Sequence, residues 1–205
     1  MEYFPDEKRI ILSKRLNKLD VFVLDFVKTL KSYTEYVIVS GYVSILFGRS
    51  RATEDIDLLI PDMQKAVFGK LFKDLEQNGF ECVNTSLVEN AFDMWKKHAI
   101  RFSKKGSAIP NIEFKLIKTD LDRFSFKNKI KVKLAGRCLC ISNLEMQIAY
   151  KLSLGSNKDL EDAKHLLKVF EEKLNKEQLL SFIEKLDVLS KFEIINKNDN
   201  RFRKT

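Results

Sequence analysis

The segment SGYVSILFGRSRATEDIDLLIP, Ser40 to Pro61, constrains the chain more than any other stretch. It places Asp55 and Asp57 on either side of Ile56 and runs directly into Leu58, Leu59 and Ile60. A solvated loop has no use for that apolar continuation, so Asp55–Ile60 reads as a strand ended by Pro61. Side chains alternate along a strand, which sends Asp55 and Asp57 to one face and Ile56 and Leu58 into the core on the other. The two carboxylates then stand about 7 Å apart along the strand and repel each other unless cations lie between them. Hard divalent ions suit such oxygen donors, and Mg2+, which keeps several waters, leaves room for the phosphates of a nucleotide.

A third carboxylate fits the same scheme. In Asn111-Ile112-Glu113-Phe114-Lys115-Leu116 the apolar residues share one face, which throws Glu113 and Lys115 onto the other. With Glu113 on a neighbouring strand, Asp55, Asp57 and Glu113 make a candidate metal-ligating and catalytic trio able to hold two metal ions. Upstream, Tyr36–Val39 reads as a short buried strand, Ser40-Gly41 as a turn, and Tyr42–Phe47 as a helix stopped by Gly48. The free N–H groups at a helix start favour anions, and a small hydroxyl beside a glycine lets a triphosphate approach that backbone closely. Arg49 and Arg51 are then placed to reach phosphate or a second substrate. Taken singly these features are ordinary, since a Ser-Gly before a helix is most often a cap and Asp-x-Asp pairs recur in acidic loops. Their order and spacing carry the reading.

In that order the residues resemble the nucleotidyltransferase superfamily related to DNA polymerase beta, and within it the minimal bacterial and archaeal group that includes the AbiEii-type toxins. The segment of that family is a Gly-Gly or Gly-Ser turn, a short helix, an Arg-x-Thr-x-Asp-x-Asp strand and a later strand with the third acid. Here it reads Ser40-Gly41, Tyr42 to Gly48, Arg51-Ala52-Thr53-Glu54-Asp55-Ile56-Asp57, and Glu113. The resemblance implies an α/β fold, a nucleotidyltransferase-type mixed β-sheet flanked by helices and followed by a C-terminal helical segment. It implies transfer of a nucleoside monophosphate from a nucleoside triphosphate to an acceptor hydroxyl on RNA such as tRNA, on protein or on a small molecule. Mg2+, with Mn2+ as an alternative, would sit on Asp55, Asp57 and Glu113, and Ser40, Gly41, Arg51 and Thr53 would bind the nucleotide.

The likeness extends into KLSLGSNKDLEDAKHLL, Lys151 to Leu167. Lys151 would contact nucleotide phosphates, while Lys158, Asp159 and Asp162 would line or brace the same cleft. Acidic residues at a helix start are also what its dipole prefers. A toxin role with an antitoxin partner is one variant of this reading. Ser40 stands where the family's first glycine usually does, and Tyr42 replaces a small or hydroxyl residue, so its ring is expected to narrow the nucleotide approach. Those departures and the lysine surplus support a rival reading, the same fold kept as a non-catalytic module that binds nucleotide, RNA or a protein partner.

The rest of the chain agrees with a globular protein of 205 residues, long enough for an ordinary core. A net charge of +8, from 37 Lys and Arg against 29 Asp and Glu, favours partners that carry phosphate, although solvated lysine-rich helix faces give the same bias. No apolar run reaches the ~18 residues of a membrane span, and Glu2, Asp6 and Glu7 occupy the N-terminus, so a cytoplasmic location without membrane association is expected. Cys82, Cys138 and Cys140 lack a disulfide framework, and the last two, sharing a strand face, are expected to be core thiols. Phosphate-loop, Gly-x-Gly-x-x-Gly and Gly-x-Ser-x-Gly signatures are absent from the sequence. His98 and His165 have no recognisable partner.

Further elements follow from periodicity. Leu12, Leu16, Leu19, Val23, Phe26 and Leu30 predict one helix from Glu7 to about Lys31. Met63–Asn78 and Ser86–Lys96 read as helices; Phe80–Asn84, Ala99–Ser103 and Ile112–Lys118 as strands. Asp120–Asn128 is a polar stretch, and Ile130–Leu134 with Arg137–Ile141 suits a hairpin about Ala135-Gly136. Beyond a soft boundary near residue 142 the chain is helical in character, over Leu144–Leu154, Lys158–Phe170 and Lys176–Phe192, with a frayed basic tail from Asn196. The domain expectation is therefore an α/β unit at 1–141 and a helical segment at 142–205 that packs on the cleft.

Overall fold

The computed structural model describes residues 1–196, so the expected fraying of the tail at 197–205 lies outside the described residues. The chain begins with the strands β1 (Glu2–Phe4) and β2 (Arg9–Leu12) and the helix α1 (Lys18–Leu30). The core of the motif follows as β3 (Val37–Val39), α2 (Gly41–Leu46) and β4 (Asp55–Ile60). Then come α3 (Lys65–Gln77), β5 (Phe80–Cys82), α4 (Val88–Lys97), β6 (Ile100–Lys104), β7 (Asn111–Leu116) and α5 (Asp120–Lys127). The hairpin β8 (Ile130–Leu134) and β9 (Arg137–Ile141) leads into α6 (Leu144–Leu154), α7 (Asn157–Phe170), α8 (Lys176–Lys185) and α9 (Leu189–Ile195).

Among the described residues the strands form one mixed nine-stranded sheet in the order β1-β2-β8-β9-β3-β4-β7-β6-β5. β4 lies near its middle, antiparallel to β3 and parallel to β7. Its Ile56, Leu58 and Ile60 are fully buried, each contributing about 1.5–3 kcal/mol, and this fixes the face on which Asp55 and Asp57 stand. On the apolar side Phe26 of α1 packs on Phe80 and Phe102, and Phe68 of α3 stacks with Trp95 of α4, which in turn meets Phe114. Helices α1, α3 and α4 therefore cover the back of the sheet. The aromatic residues serve as core filling, as the sequence suggests, with Trp95 fully buried.

Three sequence expectations are corrected and one is extended. The helix expected over Glu7–Lys31 is instead strand β2, which pairs with β8 through Ile10 and Val132, followed by a helix that starts only at Lys18. Asn17 sets that start: its side chain accepts from Asp20 N at 2.8 Å and the Asp20 carboxylate accepts from Asn17 N at 2.9 Å. The polar stretch Asp120–Asn128, for which the sequence suggests no element, carries the helix α5, capped in the same reciprocal way by Thr119 and Asp122. The helix expected over Lys176–Phe192 is broken into α8 and α9, with Asp187 between them at φ +52°. Cys138 is exposed and Cys140 half-buried, because buried Leu139 takes the core-facing position between them.

Candidate functional site

The face of β4 opposite the core carries Asp55 and Asp57, and the parallel register with β7 sets Asp55 beside Asn111 and Asp57 beside Glu113. The antiparallel register of β6 sets Arg101 on the far side of Glu113. One patch of sheet therefore gathers the three acids expected from the sequence. It also gathers two cations. Lys115, two residues after Glu113 and so on the same face, places its ammonium 2.6 Å from Asp57 Oδ1 and 2.6 Å from Glu113 Oε2. Arg101 donates to Glu113 Oε1 at 3.0 Å and lies 3.8 Å from Asp55 Oδ1, while Asn111 donates to Asp55 Oδ1 at 2.8 Å. Asp57 and Glu113 are mostly buried, at 14% and 17% side-chain exposure, whereas Asp55 is about half open at 47%.

Partial burial works against the Lys115 ammonium, but the carboxylates of Asp57 and Glu113 outweigh it and hold its pKa above the usual lysine value. Among the described residues, no group of three His, Cys, Asp or Glu side chains is drawn together tightly enough to hold a metal ion as it stands. The donor chemistry nevertheless fits a hard divalent ion: every acid offers carboxylate oxygen, and two of them already converge on one cationic centre.

A cavity of about 270 Å³ opens beside these residues, lined by Asp57, Lys115, Ser40 and Gln147 and by the apolar Leu59, Leu121, Met146 and Tyr150. Helices α5 and α6 thus contribute its wall over the acidic face. Gln147 of α6, which no motif singles out, clamps the turn: its Nε2 donates to Ser40 O at 2.7 Å and its Oε1 accepts from Ser40 N at 3.1 Å. Ser142 Oγ holds the same Oε1 at 3.0 Å. Ser40 itself sits at φ +64°, ψ −138°, a conformation that L side chains rarely adopt. Tyr42 does not narrow this cavity. Its ring is fully buried and its hydroxyl donates to Asp20 Oδ1 at 2.9 Å, so the bulk points into the core.

The other sequence-derived candidates fall in two places. Arg51 and Thr53 line a second, wider hollow of about 740 Å³ with Phe22, Ile45, Lys104 and Ser107. Thr53 Oγ1 donates to Asp55 O at 2.9 Å, tying the loop to the start of β4. The Arg51 guanidinium lies over Gly41, where an added Cβ would stand 2.0 Å from Nη2. Arg51 is held there by Asp162 of α7, through Nε to Oδ1 at 3.1 Å and Nη2 to Oδ2 at 3.0 Å.

Lys151 is not exposed to a ligand: it is 1% accessible, with Nζ 2.6 Å from Asp159 Oδ1 and 3.1 Å from Asp162 Oδ2. Burial raises the cost of a charged Asp159, but hydrogen bonds from Lys151 and Ser156 and the charges of Lys151 and Lys158 more than offset it and keep the carboxyl below its ordinary pKa. Lys158 is exposed on the first turn of α7. Arg49 pairs with Glu161 and approaches Asp162 at 3.7 Å. This buried cluster fastens the loop before β4 to the C-terminal helices.

No protein family's sequence profile matches the chain, and no curated protein matches it. Solved structures do. The antibiotic-resistance factor ANT(2″)-Ia, in solution, aligns with a TM-score of 0.53 at 12% identity over 85% of this chain and 93% of its own. ANT(2″)-Ia in complex with adenylyl-2″-tobramycin aligns with a TM-score of 0.52 at 14% identity over 80% and 94%. An antigenic nucleotidyltransferase-like protein from Paracoccidioides brasiliensis aligns with a TM-score of 0.50 at 16% identity over 89% and 94%. At these identities the likeness establishes the fold: the chain has the α/β architecture of nucleotidyltransferases, a mixed sheet flanked by helices. Among the described residues no helix is long and apolar enough to cross a membrane.

Proposed function

We propose that the protein is a Mg2+-dependent nucleotidyltransferase that moves a nucleoside monophosphate from a nucleoside triphosphate to a hydroxyl acceptor, with Mn2+ as an alternative ion. The observation that carries this reading is the β4–β7 register, which puts Glu113 beside Asp57 and Asp55 on one sheet face next to a cavity. The similarity of fold to ANT(2″)-Ia, seen in complex with adenylyl-2″-tobramycin, supports the same class of chemistry. Asp55 and Asp57 would hold the metal, which would supply charge neutralisation for the phosphates, and Glu113 would complete the acidic site beside them. The acceptor oxygen forms a bond to the α-phosphorus, the bond to the bridging oxygen breaks, pyrophosphate leaves and the hydroxyl proton passes to solvent water.

The chain's own residues position the reactants. Gln147 and Arg51 fix the Ser40-Gly41 turn at the edge of the cavity, where its glycine lets phosphate approach, and the wall of Met146, Leu121 and Tyr150 suits a nucleobase. Thr53 and Arg51 order the approach to β4; Lys151 and Asp159 brace that arrangement from the buried side, and exposed Lys158 is free to reach outward to phosphate. The acceptor class is a tRNA end, a protein side chain or a small molecule, and the toxin of a toxin–antitoxin pair is one form this activity takes.

A second reading has its own support. Lys115 and Arg101 already neutralise much of the acidic patch, as they would in a module that binds nucleotide, RNA or a protein partner without catalysis. Incubation with each α-labelled triphosphate, Mg2+ or Mn2+ and pooled tRNA, protein or metabolites separates the two. Transfer of label that falls about 100-fold or more in Asp57→Asn supports the enzyme; no transfer with any triphosphate, alongside metal-independent nucleotide binding, supports the module.

A further inference from the structure

Lys115 stands between two of the three acids of the candidate site. Its ammonium touches one oxygen of Asp57 and one of Glu113 at the same 2.6 Å, so the two carboxylates that face each other across β4 and β7 are bridged by a cation that the chain supplies itself. The strand register brings the lysine within reach. A side chain two residues beyond Glu113 on β7 must share its face, and the long unbranched stem of a lysine next to Leu59 leans back along the strand to the row that holds Asp57 and Glu113. The remaining oxygen of Glu113 is taken by Arg101 at 3.0 Å.

Charge arithmetic then distinguishes the acids. Asp55, Asp57 and Glu113 bring three negative charges and Lys115 and Arg101 bring two positive ones, which leaves a net charge of −1 on the patch. Two divalent ions added to that patch would meet two fixed cations at close range, and like charges held together in a partly buried site oppose each other. A single ion meets less opposition at Asp55, the most open of the three acids, whose nearest cation is Arg101 at 3.8 Å. Asp57 keeps its second carboxylate oxygen for the same ion, since Lys115 is bonded through Oδ1.

Resting on the proposed function, we infer that Lys115 acts as a tethered cation that occupies the Asp57–Glu113 position, so that the site loads one divalent ion, on Asp55 and Asp57, rather than two. Lys115 is then a positioning residue that holds Asp57 and Glu113 together and restricts the site to one ion. The pair Asp57–Glu113 needs a positive charge to stand side by side, and the protein provides it permanently.

The test counts ions. Mn2+ binding to the full chain is followed by isothermal titration and by the loss of the free-ion electron paramagnetic resonance signal, in the wild type, in Lys115→Met and in Lys115→Arg, with far-UV circular dichroism confirming that each is folded. The expected result is one Mn2+ per wild-type chain, either a second ion or at least a tenfold tighter first ion in Lys115→Met, and wild-type behaviour in Lys115→Arg, which restores the charge. Two ions per wild-type chain, or equal stoichiometry and affinity in Lys115→Met and wild type, overturns the role of Lys115 while leaving a metal-dependent site in place. Failure of all three proteins to take up Mn2+ overturns the metal site of the proposed function and this inference with it. If Lys115→Met does not fold, wild type against Lys115→Arg and Asp55→Asn decides the matter: binding lost in Asp55→Asn and a count of one in the other two supports the inference, and a count of two overturns it.

Discussion

Replacing Ser40 with glycine should make the protein more stable, although it removes a side chain from the centre of the candidate site. Ser40 is held at φ +64°, ψ −138°, close to a region that only glycine occupies freely, and such a residue costs roughly 1–3 kcal/mol. Its hydroxyl makes no capping bond to α2 that could repay the cost. The backbone is held there by Gln147, which bonds both Ser40 N and Ser40 O and loses neither bond in Ser40→Gly. Glycine adds about 0.5–1 kcal/mol of unfolded-chain entropy, which leaves a net stabilisation of up to about 2.5 kcal/mol, centred near 1 kcal/mol. For a chain of this length the central value corresponds to a rise in Tm of roughly 2–4 °C. Thermal and urea melts of wild type, Ser40→Gly and Ser40→Ala at one pH measure it, with alanine, which keeps the Cβ, expected to gain nothing. A Ser40→Gly protein that melts at or below the wild type would refute the claim that the turn is strained and that Gln147 imposes the strain.

Other consequences follow from the buried polar groups. Lys151→Met leaves Asp159 and Asp162 without their shared cation, and because Asp162 keeps Arg51 the cost should fall near the lower end of the ~3–5 kcal/mol typical of a broken buried pair, read from urea unfolding. Gln147→Leu strands Ser40 N and O and Ser142 Oγ, and should destabilise by about 1–3 kcal/mol while loosening nucleotide binding, as checked by melts and titration together. Asp159 has a depressed folded pKa, so its contribution is present above the ordinary carboxylate value near 4 and is lost as pH falls through the lower folded value. The stability gap between wild type and Asp159→Asn should therefore be level from about pH 5 upward and shrink below about pH 4, and a gap that widens in acid would contradict this assignment. Gly41→Ala should dislodge Arg51, detected as a weakened coupling between positions 51 and 162 in a double-mutant cycle.

Much of the site was legible because strand alternation is strict. Asp55, Asp57 and Glu113 could be assigned to one face from the buried positions of Ile56, Leu58, Ile112 and Phe114 alone, and the structure adds only which strands are neighbours. The same alternation pointed to Lys115, but nothing in a linear sequence says that its ammonium reaches two carboxylates on different strands. Arg101 and Gln147 were invisible for the same reason, since their partners lie 12 residues away or, for Gln147, 107. The N-terminal misreading has a local cause. Leu12 and Leu16 continue the stripe of α1 by spacing, yet the reciprocal Asn17–Asp20 cap ends the helix, and pairing with β8 claims Arg9–Leu12. Helix α5 is hard to read from sequence although Thr119-x-x-Asp122 carries the spacing of a cap, because acidic and basic residues obscure its short apolar face. In sequence Tyr42 reads as an obstacle, and only the buried acceptor on Asp20 shows where the ring goes.

The central claim, that the carboxylates of β4 and β7 make a metal-dependent nucleotide site, is tested most directly by titrating a non-hydrolysable nucleoside triphosphate into the protein with and without Mg2+, in the wild type and in Asp57→Asn. Saturable binding that requires Mg2+ and weakens at least tenfold in the variant is the predicted result. Binding of equal strength with and without the ion and in both proteins, or no binding of any of the four common triphosphates, would contradict it.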